Sequence, residues 1–184
     1  MVQYSNMETQ ATIQEIQNAL RELVISQKET DAKFKATDKR INQAFELFEG
    51  QWGKLMESLV EGDIINLLRS RGIDVHDTSM RRKGNHLGRN FEFDIIAHNG
   101  NQIVIVEVKT SLRVRHVKDF IEKLKHAKTW MEEYAAYNVY GAVAFLRAEE
   151  DSAVFAENEQ LFVIRATGNS ATIENKSDFI PKIF

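Results

Sequence analysis

The sequence predicts an α/β domain with a mixed β-sheet flanked by helices, preceded by a long coiled-coil helix. Three features carry this. No glycine or proline occurs before Gly50, an apolar heptad repeat runs through residues 13–48, and the rest of the chain alternates short β-type runs with amphipathic helical ones. The expected division is residues 1–53 as an oligomerisation helix and residues 54–184 as the globular domain.

The heptad repeat comes first. Ile13, Ile16, Leu20, Leu23, Gln27, Thr30, Phe34, Thr37, Ile41, Ala44 and Phe48 are spaced alternately three and four apart, which gives a narrow left-handed coiled-coil seam. Such a seam needs a partner helix, so a homo-oligomer through residues 13–48 is expected. A long helix folded back on its own domain is the alternative. Gln27, Thr30 and Thr37 place polar groups mid-seam, a device that weakens association but can fix register. Gly50 and Gly53 then mark a bend or handover.

Leu55, Leu59, Ile64, Ile65, Leu67 and Leu68 make a broader stripe over residues 54–71, suited to packing on a sheet, and Gly72 is a good helix stop. A short strand is expected at 73–78, then a polar loop at 79–90. Residues 91–98 and 102–110 read as strands joined by Asn99-Gly100-Asn101, a short-hairpin signal. A helix follows through Val114, Val117, Ile121, Leu124, Met131 and Tyr134. A strand at 139–147, a helix at 151–160 and a strand at 161–167 complete the order.

Composition narrows the chemistry. With 43% hydrophobic residues, 28% charged residues and a net charge of −3 over 184 residues, the chain is neither a disordered polyanion nor a histone-like polycation. The absence of cysteine removes disulfides, thiolate zinc sites and cysteine nucleophiles, and any metal must sit on oxygen or imidazole. It also fits a reducing compartment. No apolar run approaches the roughly 20 residues of a spanning helix, and the N-terminus lacks a signal-peptide layout. A cytoplasmic protein with no membrane partner is expected.

Within the 102–110 strand, Glu107 and Lys109 share a face, preceded there by Ile103 and Ile105. Charges ending an apolar strand need an explanation, because Glu and Lys are rarely buried without partners. The hairpin brings Asp94 beside them. Carboxylates gathered this closely repel one another, and Mg²⁺ or Mn²⁺ is a natural compensation. Lys109 can orient or help deprotonate an attacking water, or stabilise charge building on a phosphate oxygen. Phosphodiester hydrolysis needs that set: a Lewis acid, an activated water and a positive group.

The run Phe93-Asp94-Ile95-Ile96-Ala97, followed by Val106-Glu107-Val108-Lys109-Thr110-Ser111, resembles the D-x(n)-E-x-K signature of the PD-(D/E)XK nuclease superfamily. Phe93 stands where the superfamily name has proline. The spacing of thirteen from Asp94 to Glu107 and the trailing Ser111 are most similar to archaeal Holliday-junction resolvases and the nuclease domains of restriction-like proteins. The resemblance covers roughly residues 55–145. It implies a restriction-endonuclease-like core and a Mg²⁺-dependent (or Mn²⁺-dependent) DNA endonuclease, with Asp94 and Glu107 as metal ligands and Lys109 catalytic. It also implies a glutamate on the first helix. Glu61 fits, as a catalytic residue and metal ligand, with Glu57 and Asp63 as alternatives. Glu92 is read as exposed.

Basic residues cluster on either side of the site. Arg81, Arg82, Lys83 and Arg89 precede it, and Ser111, Arg113, Arg115 and Lys118 follow it, whereas acids collect near residues 149–151 and 157–159. This segregation predicts a face that holds the phosphates of DNA; RNA stays open as an alternative partner. The five histidines show no ligand spacing. A non-catalytic coiled-coil scaffold or DNA-binding adaptor with a nuclease-like core is the competing function.

Overall fold

The computed structural model describes residues 2–167 and 170–184, and their side chains except those of residues 2–13, 15, 42, 45, 46 and 49. The seam residue Ile13 lies outside the described side chains. The chain divides into two units, Met1–Glu49 and Gly50–Phe184.

The first unit is helical throughout its described residues, as part of α1 (Val2–Arg69). Nothing in it breaks a helix. The apolar seam is exposed: Ile16, Leu20, Leu23, Phe34, Ile41 and Phe48 retain 47% to 66% of their surface. Thr30, one of the polar seam residues, bonds its hydroxyl back to the Ser26 carbonyl at 2.9 Å. The handover expected at Gly50 and Gly53 lies beside the division between the two units at Glu49 and Gly50, and both glycines are helical. A helical glycine costs only about 1 kcal/mol relative to alanine, and the turns beyond these two are held by packing.

In the second unit that packing uses Met56, Val60, Ile64 and Leu68, four apart and buried. Leu55, expected in the stripe, is exposed. The helix ends in a Schellman arrangement at Gly72, whose φ is +79°. The Ile73 N–H donates to the Leu68 carbonyl at 3.1 Å and the Gly72 N–H to the Arg69 carbonyl at 3.0 Å.

Six strands follow in sequence order across one mixed sheet: β1 (Asp77–His86), β2 (Arg89–Asn99), β3 (Gln102–Leu112), β4 (Asn138–Ala148), β5 (Phe162–Thr167) and β6 (Ser170–Ile173). β3, β4 and β5 are parallel neighbours and the other pairings are antiparallel. The parallel steps are made by α2 (Val114–Trp130), followed by a 3-10 turn (Glu132–Tyr134), and by α3 (Ser152–Asn158). The α1 side of the sheet buries Ile95, Ala97, Val104, Val106 and Val108. The α2 side buries Phe93, Ile96, Ile103, Ile105 and Leu112 with Val117, Phe120 and Leu124. Because β3 is covered on both faces, residues 103–108 read as nearly continuous apolar sequence. The arrangement is a mixed sheet flanked by helices with a long N-terminal helix.

Two expectations are corrected. The stretch 79–90 is most of strand β1, a two-residue turn and the start of β2, not a loop, and no strand forms at 73–76. Beyond Met80 this strand runs where no helix buries a full face, so it shows no apolar alternation. Its Gly84 is covered by Phe91 across the ladder, where a Cβ would overlap the ring. The short edge strand β6 was also not expected; four residues carry too little pattern. Among the described residues no helix is long and apolar enough to cross a membrane.

Candidate functional site

The β2–β3 ladder runs from Asn99↔Gln102 to Ile95↔Val106 and stops there, although both strands continue. β2 changes character at that point. Phe93 and Ile96, three apart, both join the core on the α2 side, so strict alternation fails between them. On the neighbouring strand the pairs Met80↔Ile95 and Arg82↔Phe93 flank Arg81, which has φ +52° and, like Asp94, makes no pair in the register. Where β2 and β3 part, the Val108 N–H loses a backbone partner and donates instead to Asp94 Oδ2 at 2.8 Å. The carboxylate is therefore held at the mouth of the opening between two diverging strands.

Glu107 is the centre of charge. It is 6% exposed. Lys109 Nζ donates to its Oε1 at 2.7 Å, and Lys123 Nζ, from α2, to its Oε2 at 2.8 Å. Lys109 also reaches the Val108 carbonyl at 3.2 Å. Burial pushes the Glu107 carboxyl up, but the two ammonium groups outweigh it and hold the group below the ordinary glutamate range. Burial likewise pulls Lys109 down, and Glu107 more than reverses this, so Lys109 sits above the usual lysine range. Asp94 gains no such cover. Burial first, and then the Glu107 charge, push its carboxyl up to about 6.

Asp94, Glu107 and Lys109 are thus brought together, as the sequence reading expected. The first helix is less simple. Glu61 Oε1 accepts from the Thr78 hydroxyl at 2.6 Å, and Asp63 accepts from the Ala171 N–H at 2.6 Å near β6. Glu57 accepts from Arg81 Nε at 2.6 Å, and its charge acts on both Asp94 and Lys109. Glu57 is thus tied to the site through Arg81 and through its charge. Lys123 reads in the sequence only as one more member of the basic run after Lys109, not as a partner of Glu107. The available signal was its place between the buried Phe120, Ile121 and Leu124, where a lysine needs a partner.

The expected segregation of charge is corrected. Arg81, Arg82 and Lys83 pair with Glu57, Glu133 and Glu92. Arg113 pairs with Glu149 at 2.7 Å, because the β3–β4 register Leu112↔Ala148 sets the next residues side by side. Ser111 accepts two bonds from Arg147. Arg115 donates to His116 at 3.3 Å, and Lys118 lies 5.7 Å from the Phe155 ring centre. Among the described residues Arg89 has no acidic partner within salt-bridge distance, although it borders a pocket of about 580 Å³ whose lining includes Asp119 and Glu122 beside Lys123, His126 and Trp130.

No family model matches the chain, and no curated protein matches it. Among solved structures it is similar to one described as a repair endonuclease from Pyrococcus abyssi, at 23% identity over 60% of this chain and 46% of that one, with a TM-score of 0.42. The chain spans less than half the length of that protein.

Proposed function

We propose that residues 54–184 form a Mg²⁺- or Mn²⁺-dependent nuclease domain that hydrolyses DNA phosphodiester bonds, and that residues 1–53 assemble it into a homo-oligomer. The observation that carries the reading is the meeting of Asp94, Glu107 and Lys109 where β2 and β3 part. The donor set fits a hard divalent cation. Among the described residues no three His, Cys, Asp or Glu side chains form a complete cage, so water and substrate oxygens would supply the remaining ligands. The carboxyl of Asp94, raised to about 6 beside Glu107, marks the negative charge that a cation would balance.

When bound, the metal supplies Lewis acidity toward the phosphate and lowers the pKa of an attacking water. Asp94 and Glu107 would hold it. Lys109, raised above its usual range by Glu107, stays protonated at neutral pH; this supports a role as a fixed cation beside the phosphate rather than as a base. Lys123 holds the second Glu107 oxygen in place.

The test is nicking of supercoiled plasmid with Mg²⁺ or Mn²⁺. Wild type is expected to nick, and Lys109→Ala to lose activity by at least about a hundredfold, as removal of one electrostatic stabiliser does. Wild type that never cuts any of several DNA structures would sink the enzyme reading. A second reading, a DNA-binding adaptor, draws on Glu107, both of whose oxygens are already neutralised by lysines. Binding without nicking would select it.

Assembly is supported by the exposed seam. Burying a leucine contributes about 1.5–3 kcal/mol, so Leu20→Lys with Leu23→Lys in the full chain is expected to lower the mass seen by sedimentation equilibrium. An unchanged mass would remove the coiled-coil proposal.

A further inference from the structure

Beyond the point where β3 departs, β1 and β2 continue as a two-stranded arm through Arg82↔Phe93, Lys83↔Glu92, Gly84↔Phe91, Asn85↔Asn90 and His86↔Arg89. Five ladder steps at about 3.4 Å each put its tip about 17 Å from the Asp94 end. The arm is braced. Phe91 stacks on Trp130 of α2 with centroids 5.3 Å apart and planes 11° from parallel, and Lys123 Nζ approaches the Glu92 carbonyl at 3.4 Å. Asn85 bonds Asn90 at 2.6 Å and accepts the Gly88 N–H at 3.0 Å, fastening the turn.

The turn itself has the wrong residue for its geometry. Leu87 and Gly88 both have positive φ, +49° and +83°, the two-residue turn that favours Asn-Gly. A leucine there is strained, and it is 92% exposed. Neither folding nor packing accounts for it. Strain retained at an exposed tip points to function.

We propose that this arm is a wedge whose Leu87 tip packs on the face of a base pair where the strands of a DNA duplex separate. This rests on the DNA reading above and adds the feature of DNA that is recognised. Of the arm's cations, Arg82 and Lys83 are held in exposed pairs with Glu133 and Glu92, which are weak and open to exchange, and Arg89 has no acidic partner within salt-bridge distance among the described residues; together they can meet a polyanion. An intact duplex presents phosphates and polar base edges along its grooves. A terminal base pair at a fork presents a broad apolar face, the surface an exposed leucine can cover. The brace on α2 keeps the wedge at a fixed reach from Asp94, so recognition of the fork sets the position of the scissile strand.

The test compares full-length wild type with Leu87→Asn and Leu87→Met, without divalent metal, on two probes of matched sequence. One is a forked duplex with 2-aminopurine in the pair next to the fork; the other is a covalently closed dumbbell with no open end. Wild type is expected to bind the fork about tenfold more tightly, the change that burial of one leucine corresponds to, and to brighten 2-aminopurine. Leu87→Met keeps this. Leu87→Asn should lose the preference and the fluorescence change while holding its dumbbell affinity. Its melting temperature should be unchanged or higher, because Asn suits the turn. A preference that survives in Leu87→Asn, or is absent from wild type, overturns the wedge. Fork preference without plasmid nicking removes only the enzyme reading; no binding to either probe removes both.

Discussion

Asp94→Asn is expected to abolish nicking and, in the absence of metal, to make the protein more stable at neutral pH. The amide oxygen can still accept the Val108 N–H that Asp94 Oδ2 accepts at 2.8 Å, so the strand opening is kept. What is lost is a carboxylate whose pKa stands at about 6 in the folded chain against an ordinary value of 3.8. The folded state then binds this proton more tightly than the unfolded state does. By linkage the wild type loses stability as pH rises from about 4 to about 6, and the loss stays constant above that. A shift of about two units corresponds to at most about 3 kcal/mol. Urea denaturation of both proteins in EDTA should find them close at pH 4, with the variant ahead above pH 6. A gap that does not widen with pH would show that Asp94 is already compensated. Activity should fall by more than the roughly 10- to 100-fold typical of groups that only support a metal ligand.

Glu107→Ala should do the opposite to stability. It leaves Lys109 and Lys123 facing a site from which their shared counter-ion is gone. Removing one partner of a buried ion pair costs about 3–5 kcal/mol, and the low end is expected because each lysine keeps 32% of its side chain exposed. Adding Lys123→Met should recover part of the loss, since one cation is then removed with the anion. A Glu107→Ala variant within about 1 kcal/mol of wild type in its urea midpoint would mean that the ion triad is not held in the free protein. The two substitutions thus separate the acids: Asp94 is a cost to the fold and Glu107 a support.

The sequence made much of this legible, for definite reasons. Asp94, Glu107 and Lys109 could be grouped because a two-residue turn near Gly100 fixes register, and register fixes which side chains meet. The sheet core was visible as the apolar runs of β3 and β4. Other parts depended on contacts far apart in sequence. Lys123 reaches Glu107 from sixteen residues away, across a helix whose rotation on the sheet follows from packing. Glu57 and Glu61 lie one turn apart on the same helix, and only the hydrogen bonds to Arg81 and Thr78 tell them apart. The strand character of 79–90 was hidden because the arm has little apolar pattern, being polar where it meets solvent. The pairing of Arg113 with Glu149 could not be foreseen without the β3–β4 register.

The parting of β2 from β3 also bears on how the protein is made. Both carboxylates lie on one hairpin closed by a two-residue turn, a unit of low contact order that can form in about 1–10 μs. The covering lysine of α2 lies outside that hairpin, in the crossover to β4. A hairpin that forms first would bring two like charges together before one of their counter-ions arrives. The repulsion that a divalent cation would relieve in the finished site would then be met first during folding.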